Sequence, residues 1–515
     1  MTRQISRRSM LKVSGAAAVG AAAGAVSGSG TAVAGAQAAG TGAAFAHPGL
    51  LHTRTDLARM AAKVKAGAAP YTAGFARLTA NRHAQSGWQA RPQAVVYRGS
   101  GTPENYSLLY NDIHAAYQNA LRHHVTGESA YADTAVAVLN AWSATLTAVN
   151  GSADRFLAAG LYGYQFANAA ELVRDHGDFE LARFQEMLSK VFGAVSDDFL
   201  VRHNNAVVSN YWTNWDLANM ACVLATGVFC DDRAQVARAV DYFKHGAGLG
   251  AIKNAVPVVY DDVDADEGGL GEWLEAGRDQ GHALLGVGLM GTFCEMAWNQ
   301  GIDLYGYDDS RFLKGAQYVA KWNLGGQVPF TASTRRKGAI GGWSGSETVT
   351  AAAGVDPSMI RPIWAMIANH YTKRRGMPAT YLTRIAAKAA PEGGGGDYGP
   401  NSGGYDQLGF GTLTFTRDRA SGGTAAGGTT STSSSPSPAA SGSASASVSG
   451  SATSPVPGSA SASASASSAP SAMGKGGGDL ASTGTGDIVA WSAGAGITAL
   501  AGGLLLLRRR ARGGQ

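Results

Sequence analysis

Residues 272–282 read Glu-Trp-Leu-Glu-Ala-Gly-Arg-Asp-Gln-Gly-His, which sets Glu275, Arg278 and His282 at spacings of three and then four. On a helix these spacings share one face, so a carboxylate, a permanent cation and an imidazole would point the same way. Such a trio suits chemistry in which an anion is neutralised while a proton moves. An isolated Glu-x-x-Arg is equally an ion pair at a solvated helix start. Here the run continues as Ala-Leu-Leu-Gly-Val-Gly-Leu-Met, apolar nearly all round, as expected of a buried helix. Polar groups at the mouth of a buried helix more often line a cleft, and Gln280 joins them there.

A second constellation is Ser209-Asn210-Tyr211-Trp212-Thr213-Asn214-Trp215. On a helix Asn210 aligns with Asn214 and Tyr211 with Trp215, presenting amides beside an aromatic platform. Amides bind hydroxyls and carboxylates, and sugar rings pack on aromatic faces. The competing reading makes Trp212 and Trp215 core residues and the two asparagines caps. A third candidate pair, His370 and Tyr371, precedes Lys373, Arg374 and Arg375. It reads as a polar helix end or as a site facing a polyanion. The spacing Asp262-x-Asp264-x-Asp266 begins like a calcium loop, but Glu267 stands where such a loop needs glycine and Trp273 where it needs glutamate. No metal is expected, and these acids read as a surface loop ahead of the Arg278 helix.

Both ends of the chain read as addresses. Ser6-Arg7-Arg8-Ser9-Met10-Leu11-Lys12, an Ala/Gly-rich run and Ala32-Val33-Ala34 look like a twin-arginine signal over residues 1–34. Leu480-Ala481-Ser482-Thr483-Gly484 resembles an LAxTG-type cell-wall sorting signal within residues 480–515. It is followed by an apolar span at 488–507 and then by arginines, the pattern of a membrane stop. The expected partners of that tail are sortase and peptidoglycan, with membrane contact only through 488–507. Residues 420–478 are almost wholly Ala, Ser, Gly, Thr and Pro, as expected of a flexible stalk. Removing four N-terminal and four C-terminal cations from the formal +5 leaves −3, so the basic balance belongs to the addresses and implies no nucleic-acid partner. Three cysteines, Cys222, Cys230 and Cys294, are too few for a disulfide scaffold.

What remains, residues 47–418, reads as helix after helix. Expected helices cover 108–125, 129–149, 156–175, 179–203, 212–228, 233–243, 280–298, 310–322 and 357–373. Gly127, His176-Gly177-Asp178, Gly227 with Asp231-Asp232, and Gly301 with Asp308-Asp309 supply stop and start signals between them. Recurring helical hairpins predict an all-α, incomplete (α/α) toroid. Strand is expected only at 409–416, where polar and apolar residues alternate, and the Gly-rich run 391–404 reads as a loop able to cover a cleft.

His47-Pro48-Gly49-Leu50-Leu51, the 209–215 segment, Glu275-x-x-Arg278-Asp-Gln-Gly-His282, Gln300-Gly-Ile-Asp-Leu304 and Asn369-His370-Tyr371 together resemble the alginate-lyase-like family of polysaccharide lyases. The resemblance spans the whole folded region. It implies a toroid that cleaves uronic-acid polysaccharides by β-elimination, without a cofactor, on an acidic polysaccharide substrate. It also implies an Asn-His pair just before Tyr-Trp and a tyrosine two turns beyond the arginine. Here those places hold Ser209-Asn210 and Leu285. Arg278 and Asn214 are therefore expected to neutralise the uronate carboxylate, with His282 and either Tyr211 or Tyr371 moving protons. Asn210, Trp212, Trp215, Glu275, Gln280 and His370 are expected to contact substrate. A glycoside hydrolase on the same toroid, using acids between Asp261 and Glu275, and a non-catalytic surface protein that binds polysaccharide are the alternatives.

Overall fold

The computed structural model describes residues 44–100, 104–342, 344–396 and 405–419. The segments expected to be a twin-arginine signal, a stalk and a sorting tail with its apolar span, and residues 397–404 of the Gly-rich loop, lie outside these. Among the described residues no helix is long and apolar enough to cross a membrane.

Helices α1 (Arg54–Lys65) and α2 (Tyr71–Ala80) open the fold, followed by α3 (Tyr106–Thr126), α4 (Ser129–Thr145) and α5 (Asp154–Glu171). Then come α6 (Leu181–Met187), α7 (Ala194–Arg202), α8 (Thr213–Phe229), α9 (Arg233–His245) and the short α10 (Ile252–Ala255). The chain continues with α11 (Gln280–Asn299), α12 (Tyr307–Asn323), α13 (Trp364–Asn369), α14 (Thr380–Ala389) and α15 (Gly411–Thr414). Every residue of α8 is buried and nearly all of α5 and α11, whereas α9 buries only Val236, Ala239 and Phe243. That contrast follows from sequence: a helix apolar all round must lie inside, and one with a single apolar stripe covers it. The result is a two-layer, incomplete (α/α) toroid, with α3, α5, α8 and α11 within and helices such as α4, α9 and α12 outside.

The inner helices run parallel. Gly160 of α5 meets Ala218 and Asn219 of α8, and three residues later Gly163 meets Cys222. Likewise Tyr110 of α3 lies by Tyr162 of α5, and His114 bonds Gln165. The first turns of these helices therefore form one rim of the ring and their last turns the other.

The opening His47–Leu51 motif closes the rim formed by the last turns. His47 bonds Glu171 at 2.6 Å, the Leu51 N–H donates to Asn168 at 2.9 Å, and Asn299 and Gln300 donate to the carbonyls of Leu50 and Gly49. Beside this strap, the Arg374 guanidinium grips both oxygens of Glu295 at 2.8 Å, while Arg417 joins Glu295 to Asp56.

Several expectations are corrected. The alternating segment 409–416 is the short buried helix α15, not a strand. Gly409, which makes an isolated bridge with Gly394, and Phe410 turn the chain at positive φ, and Leu413 packs against Gly74 of α2. Strands occur elsewhere. β1 (Val95–Arg98) pairs in parallel with β2 (Ala148–Gly151), so the helix expected over 129–149 stops at Thr145. β3 (Val259–Tyr260) pairs with β4 (Leu270–Gly271), and β5 (Ser333–Gly338) forms a hairpin with β6 (Ser344–Val349). The helix expected over 179–203 contains a π-helical turn at Leu188–Gly193, and that over 357–373 shrinks to α13 followed by the π-helical turn His370–Arg374. Gly227 does not end α8 but lies inside it, where a Cβ would meet Val236. The acidic loop is pinned by α12, Asp261 to Lys314 and Asp264 to Lys321. All three cysteines are free thiols.

Candidate active site

The helical stripe expected for Glu275, Arg278 and His282 is broken, yet its members meet. Leu274–Gly277 form a single 3₁₀ turn, and Asp279 is extended (φ −169°) as the N-cap of α11, its side chain accepting from the His282 N–H. An aspartate able to satisfy an orphan helix N–H competes with helix continuation, which explains the break.

Around that break a chain of contacts assembles. Asn214, in the first turn of α8, donates through Nδ2 to Glu275 Oε1 at 2.7 Å. The same oxygen accepts from Arg278 Nη1 at 3.0 Å. Arg278 Nη2 lies 3.1 Å from His282 Nε2, and His282 Nδ1 lies 2.7 Å from Asp279 Oδ2. A guanidinium has no acceptor, so Nε2 must accept and Nδ1–H must donate to Asp279. In this arrangement the Nε2 lone pair faces the Arg278 cation.

Burial sorts the roles. Asn214 and Glu275 are fully buried, whereas the Arg278 and His282 side chains each keep 8% exposure. Burial pushes the Glu275 carboxyl up, against the opposing charge of Arg278. Burial acts on Asp279 as well, but its hydrogen bonds to His282 and the charge of Arg278 prevail and hold it at about 2. Asn214 Oδ1 and Glu275 Oε2 are buried without a hydrogen-bond partner.

A hairpin roofs this cluster, and its part in the site was missed from sequence. Arg335 of β5 lies 4.2 Å from the Trp212 ring centre, and Arg278 lies 5.5 Å from it. Arg335 also donates to the carbonyls of Ser209 and Asn210 and pairs with Glu347. The Asn210 side chain accepts from the Gly338 N–H at 2.8 Å, and Ser209 Oγ donates to the Arg336 carbonyl. A cavity of about 220 Å³ opens here, lined by Trp212, Leu274, Arg335 and Glu347 among others. The basic Arg335-Arg336-Lys337 run was the available signal, unreadable without the strand pairing that aims Arg335 inward.

The remaining expected site residues are dispersed. Tyr211 sits just before Asn214, its hydroxyl accepting from Asn204 at 2.9 Å and its ring 4.7 Å from that of Trp215. Trp215 packs in the core against Phe199. Asn210 anchors the hairpin, and Gln280 latches α11 to Asn323 and to the backbone of Asp356. His370 and Tyr371 lie at the opposite end of α11. His370 stacks on Tyr305 at 3.6 Å and lies 3.1 Å from Arg374, while the Tyr371 hydroxyl donates to the Tyr305 carbonyl. Of the basic run, Arg374 and Arg375 are engaged by Glu295 and Asp303.

Solved structures of similar shape include an alginate lyase from Bacteroides ovatus, 14% identical, covering 52% of this chain and 82% of its own, with a TM-score of 0.36. Alginate lyase A1-III from Sphingomonas species A1 is 14% identical over 52% of this chain and 76% of its own, with a TM-score of 0.38. An apo form of an A1-III variant is 13% identical over 71% and 95%, with a TM-score of 0.45. No curated protein matches. The family model described as alginate lyase matches residues 60–330, more than half of the sequence and including Asn214, Glu275, Arg278 and His282. On that match the chain belongs to the alginate lyase family.

Proposed function

We propose that the chain cleaves alginate or a related polyuronate by β-elimination at the Arg278–His282 cluster. The C5 proton of a uronate becomes acidic once the developing enolate charge is stabilised. Arg278 supplies that stabilisation at the substrate carboxylate, and buried Asn214 and Glu275 act on Arg278 by holding it. His282 Nε2, unprotonated and oriented by Asp279, takes the C5 proton as a double bond forms between C4 and C5 and the C4–O4 bond breaks. The departing O4 receives a proton, which His282 can return if both events use one face of the sugar; Tyr211 is the alternative donor. The observation that carries the reading is the Asn214–Glu275–Arg278–His282–Asp279 chain of contacts.

The reaction leaves an unsaturated, ultraviolet-absorbing sugar end, whereas hydrolysis would leave only reducing ends. Incubating the protein with alginate and glucuronan while following absorbance therefore tests the reading. Reducing ends without absorbance would overturn it.

We also propose export by the twin-arginine route and display on the cell wall, with sortase and peptidoglycan as partners of the tail. The support is the sequence around Arg7-Arg8 and Leu480–Gly484. Replacing Thr483 with Ala should shift the protein from the wall fraction to the membrane or medium; an unaltered wall fraction would refute anchoring.

A further inference from the structure

Arg98 ends β1 and lies between the first turns of α3 and α5. It is only 5% exposed, yet among the described residues no carboxylate lies within ion-pair distance of it. Its Nη1 donates to the Tyr162 hydroxyl at 3.1 Å, and its Nε is buried with no partner. Burial opposes its charge, but the groups around it, Asp406 and Asp154 among them, outweigh that from a distance; both acids bond elsewhere, Asp406 with Arg361 and Asp154 with Ser152. A buried guanidinium with no carboxylate in direct contact keeps donors for an anionic ligand.

Aromatic rings surround this cation. Tyr106 lies 5.0 Å and Tyr162 5.6 Å from the guanidinium carbon. Tyr106 continues to Tyr110 at 5.8 Å, and Tyr110 stacks on Tyr405 at 4.8 Å and 20°. Tyr106, Tyr110 and Tyr405 are only partly buried. A hydrogen-bond relay ties this region to the active-site side of the rim. Arg155 of α5 donates to Asn204, which donates to Tyr211, three residues before Asn214.

We propose that Arg98 and the Tyr106, Tyr110 and Tyr405 rings form a uronate-binding subsite on the α3–α5 side of the rim that carries Arg278. Arg98 takes the carboxylate of a sugar remote from the bond that breaks, and the tyrosines carry the ring faces. The proposal rests on the polyuronate reading and adds to it where the chain is gripped.

The test is binding of a saturated tetrauronate and of its carboxyl-reduced, neutral counterpart to the full-length protein made idle by His282→Ala, measured by calorimetry. Adding Arg98→Gln should weaken the tetrauronate about 10- to 100-fold and leave the neutral ligand unchanged. Tyr110→Leu, at a half-exposed position, should weaken both ligands several-fold and keeps the test alive if Arg98→Gln fails to fold. In the otherwise native enzyme, Arg98→Gln should raise KM about tenfold with kcat within threefold. Tetrauronate binding within twofold of the parent in folded Arg98→Gln, or in Tyr110→Leu, would overturn the subsite while the lyase reading stood. Failure of the native protein both to bind and to cleave polyuronates would overturn both.

Discussion

The two ends of α11 carry the same kinds of side chain in opposite states. At its last turns Glu295 has both oxygens bound by arginines, and His370 stacks on Tyr305 beside Arg374. About 20 Å away along the helix, Arg278 and His282 touch each other at the edge of exposure, and two polar atoms beside them lack partners. An Arg-His-acid group is thus no signature of chemistry by itself. What separates the two is the acid and the imidazole: Glu295 has both oxygens bound and His370 is fully buried, whereas Glu275 keeps one oxygen unpaired and His282 reaches the edge of exposure.

Substitutions at the two ends should part accordingly. The largest expected effect is on turnover: His282→Ala and Arg278→Ala should each lower kcat on alginate at least 10³-fold, read as the rate of unsaturated product. The fold should persist in both, because Glu275, already pushed toward its neutral form by burial, can protonate once Arg278 is gone. At the other end, Arg374→Ala should cost about 3 kcal/mol of stability by leaving buried Glu295 to Arg417 alone, measured by urea unfolding. The folded fraction should keep its kcat/KM within about threefold.

Midway between the ends lies a third buried acid. Glu392 accepts from the N–H groups of Trp364 and Ala365, and burial pushes its carboxyl up to about 7. The folded state therefore holds a proton that the unfolded chain releases above 4.5. Stability from this group should fall by on the order of 3 kcal/mol as pH rises from about 4.5 to about 7, then level off. Glu392→Gln should remove that slope, seen by comparing melting temperatures with the native protein at pH 5 and pH 8. An equal slope in both proteins would assign it to other groups.

The smallest effect is expected for Tyr371→Phe, which deletes one buried hydrogen bond to the Tyr305 carbonyl and should cost about 1 kcal/mol. Turnover should not change. A loss of 100-fold or more would return Tyr371 to the reaction.

This contrast also explains what could be read in advance. The apolar run after His282 identified α11 as a buried helix, and stop and start residues such as Gly127 and Asp232 marked junctions correctly. The Glu275–Arg278–His282 grouping survived although its helix did not, because a 3₁₀ turn and an aspartate cap bring the same side chains together. His370 and Tyr371 lie on the other rim, and residue type carries no record of which rim a helix end faces. Arg335 and Arg98 were overlooked because each gains its meaning from a strand pairing with residues far along the chain.

The most direct test of the account is the rate at which the Arg278→Ala protein, shown to be folded, generates ultraviolet-absorbing ends from alginate relative to the native protein. The account predicts less than about one part in a thousand. A rate within tenfold of native would place the chemistry away from this rim cluster.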